Sequence, residues 1–152
     1  MIYNDVDIHS VGGLIYNENG DILVQYHNKY DFWTIPMGKV EGGLTLEETL
    51  KKEFKEELDI EVVEFRELTS KKFTYNNIDP KTWKFVEKGE TFKSLFHLFQ
   101  IDNWTGTIKN NEPQKHSEVR FMSIAKLSKF AQKSDSLKTY LEYLENRENR
   151  HI

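Results

Sequence analysis

From His9 to Asn17 apolar and polar positions alternate, with β-branched and aromatic residues on the apolar beat, and the same alternation resumes from Asp21 to His27. Between them Asn17-Glu18-Asn19-Gly20-Asp21 is a turn cluster centred on Asn-Gly, so the pattern predicts two strands joined as a hairpin. Gly12 and Gly13 in the first strand would allow either a packing contact or the close approach of a ligand. After a polar break at 28–31, Phe32 to Met37 reads as a short apolar strand, and Pro36, which has no N–H to offer a ladder, suits its end. The period then changes: Leu46, Leu50, Phe54 and Leu58 recur every four residues, the buried stripe of a helix. Thr45 followed by Glu48 three residues later is a capping-box signal that starts this helix near Leu46. Strand patterns return at 60–68 and 71–75, a polar loop spans 76–89, and Phe92 to Ile101 reads as a strong, central strand. A turn at 102–107, a short edge segment at 106–110 and a strand at 118–122 follow. Ser123 is placed to cap a helix running to Gln132 with Ile124, Leu127 and Phe130 on one face. Ser134 or Ser136 would cap a last helix with Leu137, Tyr140, Leu141 and Leu144 inward, and 145–152 reads as a frayed tail.

This order of elements is α+β: a mixed β-sheet with helices packed on its faces. At 152 residues the chain is long enough for one domain with a substantial core, and a single domain over 1–152 is expected. Hydrophobic residues at 38% and charged residues at 30% are ordinary for a globular protein. A formal net charge of −4 argues against a nucleic-acid binder that works by neutralising phosphates. With no cysteine, disulfides and thiolate zinc sites are excluded. The first residues lack the basic start and apolar run of a signal peptide, and no apolar run approaches the roughly 18 residues of a spanning helix, so cytoplasm is the expected location. The acids are concentrated. Residues 38–60 hold four lysines (Lys39, Lys51, Lys52, Lys55) against seven acids (Glu41, Glu47, Glu48, Glu53, Glu56, Glu57, Asp59), so most of the imbalance sits there.

Within that stretch Glu53, Glu56 and Glu57 stand at i, i+3 and i, i+4 spacing near the C-terminal end of the predicted helix. Like charges so spaced repel, and a helix C-terminus favours cations, each effect about a few tenths of a kcal/mol at an exposed site. Two readings follow: a solvated, lysine-bridged face, or a site for a hard divalent cation that takes oxygen ligands. The glycine loop in front favours the second. Gly38, Glu53, Glu56 and Glu57, with Phe54 and Ile60 at the bulky apolar positions, resemble the signature of the Nudix hydrolases, G-x5-E-x7-R-E-U-x-E-E-x-G-U, where U is a bulky aliphatic residue. Leu44 stands where the pattern has its first glutamate, Lys52 where it has arginine, and Asp59 where it has the late glycine. Phe32 to Met37 is similar to the apolar, Trp- and Pro-containing lead-in that often precedes the box.

The resemblance implies an α/β/α sandwich with a mixed sheet and a strand-loop-helix box. It implies Mg2+ or Mn2+ held by Glu53, Glu56 and Glu57, with the backbone carbonyl of Gly38 as a further ligand. It also makes Glu53 or Glu57 the base that orients or deprotonates water. Lys52, in the arginine's place, keeps the charge but not the planar fork that orients carboxylates, which implies weaker preorganisation. Glu41 lies where its charge would partly replace the glutamate missing at Leu44, and Lys39 beside it is a candidate phosphate contact. Asp59 can adopt the left-handed conformation a glycine would supply. Outside the box, 111–118 resembles the stretch of MutT-like nucleoside triphosphatases that brings an extra acidic ligand or base; Glu112 is the first candidate and Glu118 the second. Tyr75, Trp83 and Phe85 lie in or beside the polar loop, where a ring could stack on a base or simply pack. The five histidines show no metal-ligand spacing, and His97 reads as an interior or cleft residue.

The expected function is metal-dependent hydrolysis of a nucleoside diphosphate derivative, first of all nucleoside triphosphate to nucleoside monophosphate and pyrophosphate. Dinucleoside polyphosphates or RNA 5′ ends are the alternative, with ADP-ribose third. A catalytically weak nucleotide-binding module is the reading from a different class, motivated by Leu44 and Lys52. The expected partner is a nucleotide, with no membrane and no sequence-specific nucleic acid, and with room for a homodimer.

Overall fold

The computed structural model describes residues 6–79, 81–82, 84–87, 89 and 91–149; Trp83 and the tail residues 150–152 lie outside them. The elements in chain order are β1 (Ile8–Leu14), β2 (Ile22–His27), β3 (Phe32–Thr34), β4 (Met37–Lys39), α1 (Leu46–Leu58), β5 (Glu61–Tyr75), β6 (Phe92–Thr105), β7 (His116–Met122), α2 (Ile124–Ser128) and α3 (Asp135–Asn149). The strands form two sheets. One is mixed, in the order β4-β1-β6-β5 with β1 and β6 parallel; the other is antiparallel, in the order β3-β2-β7.

The expected hairpin is therefore corrected. Its turn forms, with the Asn17 side chain accepting from the N–H groups of Asn19 and Asp21 at 3.0 Å and a single bridge between Tyr16 and Ile22, but β1 and β2 then part into different sheets. Val11 to Ile15 and Ile22 to Gln25 are buried without interruption, so each strand needs cover on both faces. The edges of each are taken by other strands, β1 by β4 and β6 and β2 by β3 and β7. The strands expected at 60–68 and 71–75 are one continuous β5, bent at three irregularities in its register with β6. No strand forms at 106–110, where Gly106 takes φ 101° and turns the chain, and the last helix extends through 145–149, which was expected to fray.

Alternation along β6 builds the layers. Phe96 and Leu98 join one cluster with Leu127 of α2 and Leu137 and Tyr140 of α3, whereas Phe99 and Ile101 join another with Leu50, Phe54 and Leu58 of α1. The sheets thus lie between α1 on one side and α2 and α3 on the other, an α/β/α sandwich. Gly12 and Gly13 serve packing: a Cβ on the first would fall 2.7 Å from the Phe96 ring, and on the second 2.7 Å from the Phe54 ring. Leu50, Phe54 and Leu58 are fully buried, each burial contributing roughly 1.5–3 kcal/mol, and this fixes the rotation of α1 about its axis. Among the described residues no helix is long and apolar enough to cross a membrane.

Candidate active site

The capping box holds the start of α1: Thr45 Oγ1 accepts from Glu48 N–H at 3.1 Å and the Glu48 carboxylate accepts from Thr45 N–H at 3.1 Å. With the apolar stripe facing the sheet, Glu57, three residues after Phe54 and seven after Leu50, is carried inward with it. Glu57 is 5% exposed. Glu53, at the margin of the stripe, is half-buried, and Glu56 points outward, where Lys52 pairs with it at 3.3 Å, both side chains half-exposed. Asp59 ends the helix in the left-handed region at φ 60°, and its carboxylate takes Lys55 at 3.0 Å and Lys109 at 3.7 Å. Hydrogen bonding to Lys55 holds the Asp59 carboxyl below its ordinary range.

Gly38 lies against the acid cluster. A Cβ there would fall 2.2 Å from the Glu53 carboxyl carbon, so only glycine lets β4 and the Glu53 side chain approach this closely. The following loop, with Gly42 and Gly43 at φ 63° and 75°, folds back over the helix. Lys39, Glu41, Gly42, Leu44, Thr49, Lys52 and Glu53 line a cavity of about 290 Å³, open to solvent, with Lys39 and Glu41 4.0 Å apart on its rim.

The loop before β7 closes over the other end of α1. The last carbonyls of a helix lack internal partners. Here Asn111 N–H donates to Glu57 O at 3.0 Å and Lys109 N–H to Leu58 O at 2.9 Å. The loop is held on itself by Asn110 Nδ2 donating to His116 O at 2.7 Å and His116 N–H donating to Glu112 O at 2.9 Å. This clasp brings ligand atoms of Glu57, Glu112 and His116 within 4.8 Å of one another. His116 Nε2 stands 4.0 Å from Glu57 Oε1, and Lys115 Nζ 3.5 Å from Glu112 Oε2.

The electrostatics follow from burial. Desolvation, then the charge of Glu56, pushes Glu53 up to about 7. Desolvation, then Glu53 and Glu112, raises Glu57 well above the ordinary carboxylate value. Desolvation, then His27 and Lys115, pushes His116 down to about 4, so its imidazole is neutral. Glu57 Oε2 and His116 Nδ1 are buried without a hydrogen-bond partner among the described residues. Buried Glu57 with its orphaned oxygen, the Glu112 carboxylate and the neutral His116 imidazole make a donor set that fits a divalent cation. Glu53, over Gly38, and Glu56, turned outward onto Lys52, lie outside that cluster.

The remaining sequence candidates lie apart. Glu118 is exposed on β7 beside Arg120 at 3.9 Å, outside the Glu57 cluster. Tyr75 donates its hydroxyl to Asp135 of α3 at 2.5 Å and stacks on Phe92 and Phe73. Phe85 is 72% exposed. His116 is the residue that sequence reasoning missed. Looking for histidines spaced from one another could not find it, whereas pairing histidines with acids would have, because His116 follows Glu112 by four residues.

A family model described as NUDIX domain matches residues 8–143. Among solved structures, a MutT NUDIX hydrolase from Burkholderia pseudomallei aligns with a TM-score of 0.68, 19% identity, and 90% of this chain and 96% of that one covered. The NUDIX domain of Shewanella oneidensis NrtR, complexed with ADP ribose, gives 0.64, 15%, 93% and 88%. A C. elegans Ap4A hydrolase binary complex gives 0.57, 17%, 92% and 99%. At these identities the likeness to solved structures concerns the fold alone. Comparison by sequence with curated proteins finds no match.

Proposed function

The chain belongs to the Nudix family, whose domain model spans 8–143, and as a Nudix hydrolase it acts on pyrophosphate bonds of nucleotide derivatives with a divalent metal; from that premise we propose that its substrate is a nucleoside triphosphate, hydrolysed to nucleoside monophosphate and pyrophosphate with Mg2+ or Mn2+. The single observation that carries this reading is Glu112: a carboxylate from the loop before β7, brought against the buried carboxylate of the box helix.

A divalent ion bound there would neutralise charge on the phosphate oxygens and lower the pKa of a water. Glu53, Glu56, Glu57, Glu112 and the Gly38 carbonyl would hold it. Glu53 is the first candidate to take a proton from the attacking water, with Glu57 the second; the rise of Glu53 to about 7 belongs to the metal-free site, where desolvation and the charge of Glu56 disfavour its ionisation. Lys52 fixes Glu56 by its 3.3 Å contact, as a point charge without the two-pronged grip of an arginine. Lys39 meets the phosphates at the cavity rim, and Glu41 steadies it. Tyr75, Trp83 and Glu118 are the remaining substrate contacts proposed from the sequence. The whole chain acts as one cytoplasmic domain, with room for a homodimer.

The exposed Phe85 ring favours a second reading, a dinucleoside polyphosphate or an RNA 5′ end, whose second base or first nucleotide would stack there. The discriminating experiment measures product release with and without Mg2+ across nucleoside triphosphates, dinucleoside polyphosphates, ADP-ribose and triphosphorylated RNA. Preferred turnover of triphosphates supports the first reading. Preference for the two-ended substrates, lost on Phe85→Ala, supports the second. Nucleotide binding without turnover of any substrate would make the chain a binding module and overturn both.

A further inference from the structure

We infer that His116 is a nitrogen ligand to the divalent ion of this site and sets its metal preference toward first-row transition ions such as Mn2+ and Co2+ over Mg2+; the inference rests on the metal-binding reading above. His116 opens β7, and the backbone bond from its N–H to Glu112 O fixes the two residues on the same turn of chain. The clasp of Lys109 and Asn111 on the end of α1 brings both to Glu57. Two stretches remote in sequence, the end of α1 and the loop into β7, therefore converge on one point.

The separations are those of ligands about an ion rather than of a hydrogen-bonded network. At 4.0 Å, His116 Nε2 and Glu57 Oε1 are too far apart to bond to each other. Two donors on opposite sides of an ion, each at about 2.1 Å, stand about 4.2 Å apart, so the 4.0 Å gap fits and the 4.8 Å limit of the cluster closes with a small inward movement. Both side chains are more than nine-tenths buried, and Glu57 keeps a carboxylate oxygen, Oε2, without a partner beside the Oε1 that faces His116 Nε2; the unpartnered His116 Nδ1 lies across the ring from Nε2 and takes no part. An ordinary ion pair through Oε1 would leave Glu57 Oε2 as it is, whereas an ion can take both oxygens of the carboxylate. His27 lies edge-on to His116 at 5.3 Å between ring centres, and its own Nδ1 also lacks a partner among the described residues.

Donor chemistry supplies the selectivity. Mg2+ is hard, keeps its waters and takes oxygen ligands, whereas imidazole is a good ligand for transition ions, whose affinity for such sites rises from Mn2+ to Co2+ and beyond. Replacing one oxygen donor of an all-carboxylate site by imidazole therefore penalises Mg2+ relative to those ions. The substrate and the bond cleaved are unaffected.

The test titrates metal-free full-length protein with Mn2+, Co2+ and Mg2+ separately by calorimetry, as wild type, His116→Gln and Glu57→Gln. Pulsed electron paramagnetic resonance on the Mn2+-loaded wild type looks for coupling to a nitrogen nucleus, a readout that needs neither turnover nor a folded variant. The expected result is nitrogen coupling in wild type, a ten-fold or greater loss of Mn2+ and Co2+ affinity in His116→Gln with Mg2+ changed less than three-fold, and loss of all three ions in Glu57→Gln. Absence of nitrogen coupling, or an equal loss of all three ions in His116→Gln, would overturn the ligand assignment while leaving the metal site standing. Binding of all three ions that Glu57→Gln does not weaken would overturn the underlying metal-site reading and the inference with it.

Discussion

Among the described residues, two clusters that pair a buried histidine with a carboxylate are satisfied in opposite ways. On the mixed sheet, Glu67 of β5 accepts from His97 Nδ1 at 2.6 Å, and His97 Nε2 meets His9 Nδ1 of β1 at 2.9 Å with the two rings stacked. His97 is 1% exposed, yet both of its nitrogens are bonded, so its interior position carries no penalty for an unmade hydrogen bond. At the end of α1, Glu57 and His116 are equally buried, but each keeps an orphaned polar atom, and the neighbours of Glu57 are further carboxylates. A buried imidazole beside a carboxylate is common to both clusters. In the first the carboxylate, Glu67, is exposed and the imidazole is bonded at both nitrogens; in the second the carboxylate is itself buried among like charges, and that difference separates a structural network from the site proposed to hold a cation.

The contrast breaks most sharply under isosteric substitution of the two acids, Glu57 buried and Glu67 exposed. Glu57→Gln should cut turnover by at least about a hundred-fold, because a donor to the ion is lost. It should leave the melting temperature of the metal-free protein unchanged or raised, because an amide replaces a carboxyl whose ionisation burial disfavours. Glu67→Gln should do the reverse, keeping turnover within about two-fold while destabilising by roughly 1–3 kcal/mol through the weakened His97 contact. Thermal melts and steady-state kinetics on the same preparations check both, and a swapped pattern would erase the distinction.

Gly38→Ala comes next. With the new Cβ 2.2 Å from the Glu53 carboxyl carbon, Glu53 must move, and turnover should fall by about ten-fold or more with metal affinity weakened in parallel. An unchanged rate would show that the placement of Glu53 over Gly38 is immaterial.

The pH dependence of stability sharpens the comparison further. Glu53 is raised from 4.5 to about 7 in the folded protein, so between those values the folded state holds more protons than the unfolded one. Its contribution is therefore favourable at low pH, declines as pH rises from about 4.5 to about 7, and is flat above; Glu57 acts in the same direction. The wild-type melting temperature of the metal-free protein, taken relative to Glu53→Gln, should fall across that window. Mn2+ should restore it increasingly as pH rises, since metal and proton compete for the same oxygens. A flat difference would mean that Glu53 is not desolvated.

Lys52→Arg has the smallest expected effect. Lys52 and Glu56 are each about half exposed, so the pair stabilises little, and the two-pronged guanidinium should raise kcat by no more than a few-fold without shifting the melting temperature. A large gain would make position 52 a principal determinant of rate.

Local chemistry explains which parts of this were legible in the sequence. The capping box and the stripe of Leu50, Phe54 and Leu58 put the start of α1 near Leu46, where it lies. The unequal burial of Glu57, Glu53 and Glu56 follows from the same spacing, since Glu57 comes three after Phe54 and seven after Leu50, but in the sequence the three read as one projecting cluster. The central β6 and the serine caps of α2 and α3 were legible for the same reason. The parting of β1 and β2 was not, since the turn between them reads as a hairpin and only the competition of β4, β6, β3 and β7 for their edges decides otherwise. Nor was the meeting of Glu112 and His116 with Glu57 readable from the residues, because it depends on backbone bonds from Lys109 and Asn111 to the open end of a helix some fifty residues earlier, which leave no local pattern. The resemblance pointed to Glu112 but not to His116.

The central claim is that the unpartnered Glu57 carboxyl is a metal ligand. It is tested most directly by calorimetric titration of Mn2+ into metal-free protein at neutral pH, in two buffers of different ionisation enthalpy, for wild type and Glu57→Gln. The account predicts saturable binding that releases protons from the raised carboxyls of Glu53 and Glu57, with affinity and proton release both sharply reduced in the variant. Binding that releases no proton and is as tight in Glu57→Gln as in wild type would contradict it.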